Sequence, residues 1–184
     1  RQRQMCIRDR ATFGKALGNG YAITAVIGTA AVMDAAQSTF ISSTFWTERI
    51  GPAAALATLE VMEQTRSWQA ITEVGERIIA GWHALADGTG IAIQTMGLPA
   101  LATFTFEGAN ALAYRTLMAQ EMLKRGYLAG PAAYACLAHT DDVLSRYFEA
   151  LQPVFALIKE CDEGRDVDSV LDWPICHSGF ARLN

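Results

Sequence analysis

Thr12-Phe13-Gly14-Lys15-Ala16-Leu17-Gly18-Asn19-Gly20 is the stretch on which the reading of this chain turns. A short apolar approach ends in a glycine, one lysine follows, and two further glycines interrupt any regular element. Glycine takes up positive φ without a Cβ penalty, so the stretch reads as a tight, irregular loop. A lysine kept from water loses ammonium stability, its pKa falls and its amine becomes a usable nucleophile. The same residues would also suit a solvated loop lysine, and the nonapeptide alone leaves both readings open. A phosphate-binding P-loop is excluded. That motif requires a glycine five residues before the glycine of the Gly-Lys pair and a Ser or Thr after the lysine. Asp9 and Ala16 occupy those positions.

Around this stretch, composition narrows the class without naming it. A chain of 184 residues, 51% apolar, is long enough for one good core or two modest lobes. A formal net charge of -4 and the lack of a long basic run argue against nucleic acid as a partner. No uninterrupted apolar run approaches the ~18 residues of a membrane span. The four cysteines, Cys6, Cys136, Cys161 and Cys176, lack CxxC spacing, so neither a zinc site nor a disulfide framework is signalled. Scattered unpaired cysteines are the pattern of a reducing, cytoplasmic compartment.

The segment Ala11 to Gly28, ATFGKALGNGYAITAVIG, resembles the cofactor-lysine segment of the class III aminotransferases, which depend on pyridoxal 5'-phosphate (PLP). That pattern is a small residue, the Schiff-base lysine, three residues, a small residue, a glycine, and an apolar strand ending in glycine. Gly14, Lys15, Ala16-Leu17-Gly18, Asn19, Gly20 and Tyr21 to Gly28 fill those places in order. The nearest variety is the group around glutamate-1-semialdehyde aminomutase. The resemblance implies an α/β fold: the C-terminal part of a fold type I PLP-dependent transferase. It would comprise the end of the large α/β/α domain plus a small α+β C-terminal domain. Lys15 would then be the catalytic residue and hold the cofactor. In such enzymes a threonine five residues before a helix-opening proline reaches the cofactor phosphate of the neighbouring subunit. Thr47, before Pro52, has that spacing, so the resemblance also implies a homodimer.

Residues 1–10, RQRQMCIRDR, are arginine-rich, lack periodicity and change composition abruptly at Ala11. No apolar centre follows the charges, so this is no secretory signal. It reads as a non-native leader, with residues 11–87 as the end of the PLP-binding domain and 88–184 as the small domain and tail. Counterparts of the family's phosphate cradle, ring-stacking aromatic and ring-pairing carboxylate are expected upstream of these residues.

Along the chain, Ala22 to Gly28 reads as a buried strand and 29–37 as a helix with Thr29 as N-cap. Pro52 opens a helix to about Gln64, since its missing N–H is an orphan at that position anyway. The residues before it, Glu48, Arg49 and Ile50, are bulkier and more charged than the small, glycine-rich family version. Arg49 is a candidate for binding a substrate carboxylate, because a guanidinium fork suits that geometry. The alternative is that it pairs with Glu48.

Ser67 to Ala86 carries Ile71, Val74, Ile78, Ile79, Trp82 and Leu85 at helical spacing. Asp87-Gly88-Thr89-Gly90 is a breaker cluster and the expected boundary between lobes. Two strands, Ile91 to Met96 and Leu101 to Glu107, follow. A helix from Asn110 to Arg125 is closed by Gly126, short strands are expected at 127–128 and 133–137, and a last helix runs from Asp142 to Lys159 after Thr140. His139 beside that cap reads as structural, His83 and His177 find no nucleophile partner motif, and no metal site is indicated. The tail from Cys161 is expected to lie across the outside of the small lobe.

The resemblance implies transfer of an amino group between an amino acid or amine and a keto or aldehyde acceptor. An intramolecular 2,1-aminomutase uses the same half-reactions and is not separated by sequence. A non-catalytic fragment is the third reading.

Overall fold

The computed structural model describes residues 9–40 and 44–179. The chain divides after Arg66 into two compact units.

In the first unit, β1 (Arg10–Phe13) pairs antiparallel with β2 (Ala25–Gly28), Arg10 opposite Gly28 and Phe13 opposite Ala25. The lysine stretch is the connection between them. Thr29 extends the pairing by one bond, its N–H donating to the Asp9 carbonyl at 2.8 Å. The pairing therefore begins inside the stretch that reads as a leader, whose residues 1–8 lie outside the described residues. Thr29, extended at φ -61°, opens the short helix α1 (Ala30–Ala35) through its backbone, and its hydroxyl makes no cap bond. Helix α2 (Ile50–Thr65) carries Pro52 in its first turn, where a missing N–H costs nothing. It stops at Arg66, which takes the left-handed conformation at φ 46°.

The second unit is a three-stranded antiparallel sheet, order β3-β4-β5, packed with three helices. Its elements are α3 (Ser67–Thr89), β3 (Ile93–Leu98), β4 (Leu101–Phe106), α4 (Ala111–Lys124), β5 (Ala132–Tyr134) and α5 (Asp141–Asp162). Strand β4 lies in the middle and alternates as a half-buried strand must, with Ala102, Phe104 and Phe106 inward. Trp82 of α3 meets Phe104 at a ring-centroid distance of 4.7 Å, and its indole N–H donates to the Tyr147 hydroxyl of α5 at 3.0 Å. Leu117, Met118 and Met122 of α4 with Leu151, Val154 and Phe155 of α5 complete the core.

The structure corrects two sequence expectations. The breaker cluster lies within α3, not between lobes: the helix runs through Asp87, Gly88 and Thr89 and ends only where Gly90 turns left-handed at φ 72°. Burial of Ile78 and Trp82 commits the whole helix to the second compact unit, which begins at Ser67. Residues 127–128 form no strand. Thr140 caps α5 as expected, its hydroxyl accepting from the Val143 N–H at 3.4 Å. The tail lies along α4: Gln120 donates to the Val170 carbonyl at 2.9 Å and accepts from the Asp172 N–H at 2.7 Å. The Cys176 N–H donates to the Thr116 hydroxyl at 2.9 Å. Residues 180–184 lie outside the described residues. No helix among the described residues is long and apolar enough to cross a membrane.

Beside that tail, burial opposes ionisation of Glu121. Hydrogen bonds from Lys124, Arg125 and Gln120 outweigh it and hold the carboxyl down from 4.5 to about 2. A depressed carboxylate pKa gives stability that is present above the unfolded value and lost as pH falls through the folded one. Glu121→Gln is therefore expected to lower stability at neutral pH by roughly 1.5–3 kcal/mol, the scale of charge-assisted hydrogen bonds. It should also flatten the loss of stability between pH 4.5 and 2. Urea titrations across that range check both.

Candidate active site

Between β1 and β2 the chain turns in little space. Gly14 leads extended into a 3-10 turn over Lys15–Leu17. Lys15 itself is left-handed at φ 49°, and Asn19 and Gly20 follow at φ 46° and 108°. Left-handed backbone is unfavourable for a residue with a Cβ by roughly 1–2 kcal/mol. Lysine lacks the short polar side chain that lets asparagine tolerate it. Such an outlier on a nucleophilic residue points from geometry toward function. A Cβ on the buried Gly18 would lie 2.1 Å from the Tyr21 carbonyl oxygen, so only glycine closes this turn.

Lys15 is exposed, and its amine makes no ion pair or hydrogen bond among the described residues. The chain has two other lysines. Lys124 lies 2.8 Å from both Glu121 and Asp172, and these acids raise its pKa. Lys159 lies 3.4 Å from Asp162 and 3.5 Å from Glu163. Among the described residues Lys15 is therefore the lysine whose amine no carboxylate holds.

Helix α2 packs against the Lys15–Leu17 turn, bringing the residues that precede the helix into the same unit as the lysine. The contact is close: a Cβ on buried Gly51 would lie 2.8 Å from the Ala22 carbonyl oxygen and 3.2 Å from Ile23. Thr47 is exposed, with no hydrogen bond from its hydroxyl among the described residues. Arg49 occupies the N-cap position of α2 but gives no side-chain cap and makes no ion pair among the described residues.

The expected alternative pairing of Arg49 with Glu48 is absent, because Glu48 is committed elsewhere. Its carboxylate accepts from the Ile50 N–H at 2.5 Å and the Gly51 N–H at 3.0 Å. Sequence reasoning missed this role. An acid immediately before a helix opened by proline was the available signal, since acids favour the positive end of the helix dipole. His139 is structural, its Nδ1 accepting from the Cys136 N–H at 3.2 Å. His83 lies 3.1 Å from the Thr95 hydroxyl, far along the chain from Lys15.

The Lys15 amine, the Thr47 hydroxyl and the Arg49 guanidinium, each without a partner among the described residues, are of the chemical types that suit an aldehyde, a phosphate and a carboxylate. The fold is that of fold type I PLP-dependent transferases. Over 85% of this chain it superposes on FumI of Sphingopyxis sp. MTA144, a structure containing PLP, with TM-score 0.75, 26% identity and 38% of that chain covered. The chain belongs to the class-III aminotransferase family, whose sequence profile matches residues 6–131. It is 30% identical over 158 residues to the 3-aminobutyryl-CoA aminotransferase of Cloacimonas acidaminovorans, covering 83% of this chain and 38% of that protein. It is 26% identical over 168 residues to the glutamate-1-semialdehyde 2,1-aminomutase of Hyperthermus butylicus, covering 82% of this chain and 39% of that protein. The chain thus spans well under half the length of these relatives.

Proposed function

We propose that this chain is the lysine-bearing part of a PLP-dependent aminotransferase that moves an amino group from an amino acid or amine to a keto or aldehyde acceptor. The observation that carries this reading is Lys15: a left-handed lysine whose amine has no partner among the described residues, in a segment that resembles the family's cofactor-lysine pattern. PLP, when bound, supplies an electron sink for negative charge at the substrate Cα. Lys15 would hold the cofactor covalently through Nζ, and the same amine, when free, would serve as the base and acid that moves a proton at the substrate Cα. Tethering one amine beside the bond it will act on supplies positioning that a free base lacks.

Thr47 donates its hydroxyl to the cofactor phosphate of the neighbouring subunit in a two-fold homodimer, and Arg49 receives a substrate carboxylate through its guanidinium fork. The enzyme works in a reducing, cytoplasmic compartment, in keeping with the free thiols of Cys136, Cys161 and Cys176. Thr47→Val is expected to weaken PLP binding by roughly 1–2 kcal/mol, the scale of a hydrogen bond to a charged acceptor. Equilibrium dialysis against PLP measures it, and unchanged affinity removes Thr47 from the site.

The reading as a whole is tested by supplying an amino donor to the PLP-loaded, full-length protein and following keto-acid release. Stoichiometric release with acceptor consumption is the expected result. Turnover of a single substrate without keto-acid release would identify the aminomutase reaction, which the resemblance to the Hyperthermus butylicus enzyme favours as the second reading. No turnover of either kind would overturn both.

A further inference from the structure

Every backbone donor in the first turn of α2 has a partner or does not exist. Ile50 and Gly51 donate to Glu48, Pro52 has no N–H, and Ala53 donates to the Arg49 carbonyl at 3.1 Å. A helix start ordinarily leaves such donors free and attracts anions. In this helix the chain's own carboxylate fills that role, so the N-terminus of α2 has no donor to spare for a phosphate. Thr47 and Arg49, which flank Glu48 on either side, have side chains with no hydrogen bond or ion pair among the described residues.

The cap also ties this segment to the lysine. Glu48 grips the N–H of Gly51, Gly51 is pressed against Ala22 and Ile23, and Ile23 packs against Gly18 in the lysine turn. A Cβ on Gly18 would stand 2.8 Å from the Ile23 side chain, so little slack exists along this path. Resting on the functional reading of Lys15 and Thr47, we propose that Glu48 is a positioning residue. By capping α2 through two N–H groups it fixes the backbone that presents Thr47 and frees Arg49 from intramolecular pairing. It acts on the cofactor through Thr47 and touches no substrate.

The test compares Glu48→Ala and Glu48→Gln, alone and with Thr47→Val, in the full-length protein. In the apoprotein, amide hydrogen exchange at Ile50 and Gly51 should accelerate at least tenfold in Glu48→Ala. It should accelerate less in Glu48→Gln, whose one amide oxygen can still accept. In PLP titrations, Glu48→Ala should raise the dissociation constant about tenfold. In the Thr47→Val background the same change should add less than twofold, because residues acting through one contact are not additive. Glu48→Gln should fall between wild type and Glu48→Ala, and it stands in if the alanine variant fails to fold. Accelerated exchange with unchanged PLP affinity, or fully additive losses, would overturn the positioning role while leaving the functional reading intact. Wild-type protein that fixes no PLP on Lys15 would overturn the functional reading itself, and with it the positioning role of Glu48.

Discussion

Borohydride reduction of the PLP-loaded protein is expected to fix the cofactor on Lys15 and on neither Lys124 nor Lys159. The three amines differ in what surrounds them. Lys124 and Lys159 each lie within ion-pair distance of two carboxylates, whereas Lys15 has none among the described residues. An amine clamped by carboxylates must break those contacts before it can reach an aldehyde, and Lys15 has none to break among the described residues. Lys15→Ala should therefore abolish both the reduced adduct and nearly all turnover. A loss of at least about 4 kcal/mol in transition-state stabilisation is the scale expected when a covalent and proton-transfer group is removed. Lys15→Arg should fare no better, since guanidinium stays protonated at any pH the fold survives. Peptide mapping of the reduced protein gives the answer. Wild-type stoichiometry of reduced PLP in either variant, or adduct on Lys124, would refute the assignment.

Much of the architecture was legible from periodicity. Ile78 and Trp82, placed on one face of a helix by spacing alone, are buried in the core, and the alternation through Phe104 and Phe106 marks the central strand. What sequence misplaced was the end of that helix. Asp87, Gly88, Thr89 and Gly90 have the composition of a loop, but only Gly90 requires left-handed backbone. The Thr89 hydroxyl returns to the Leu85 carbonyl at 2.7 Å, and Ala86 packs in the core, so tertiary burial carries the helix past its weak residues. At the candidate site the glycine-bounded turn was legible, while the left-handed lysine within it was not. Glycine was the residue expected to absorb that conformation. Glu48 and Arg49 were similarly opaque: adjacent opposite charges suggest a pair, whereas unsatisfied N–H groups at a helix start compete for the same carboxylate. That competition is decided by where the helix begins, which composition fixes only to within a turn.

Three glycines in α3 should respond to alanine in three different ways, and the largest effect belongs to Gly75. A Cβ there would lie 1.8 Å from the Pro99 carbonyl oxygen and 2.3 Å from its carbon. Pro99 sits in the tight connection between β3 and β4, so the obstacle is backbone that cannot swing aside without moving the hairpin. Overpacking of this kind costs about 3 kcal/mol or more, exceeding the ~1 kcal/mol that alanine gains over glycine in a helix. At Gly81 the Cβ would meet the Phe148 ring at 2.2 Å. A ring can tilt, so Gly81→Ala should cost roughly 1–2 kcal/mol. Gly88 has nothing within 4 Å of the added carbon and lies inside the helix. Gly88→Ala should therefore stabilise the protein by about 0.5–1 kcal/mol, through helix propensity and a less disordered unfolded chain. Denaturant midpoints of the three variants decide the matter. Gly75→Ala as stable as wild type would mean that α3 does not press on the β3–β4 connection. A destabilised Gly88→Ala would mean that the helix ends, as the sequence suggested, before Gly88.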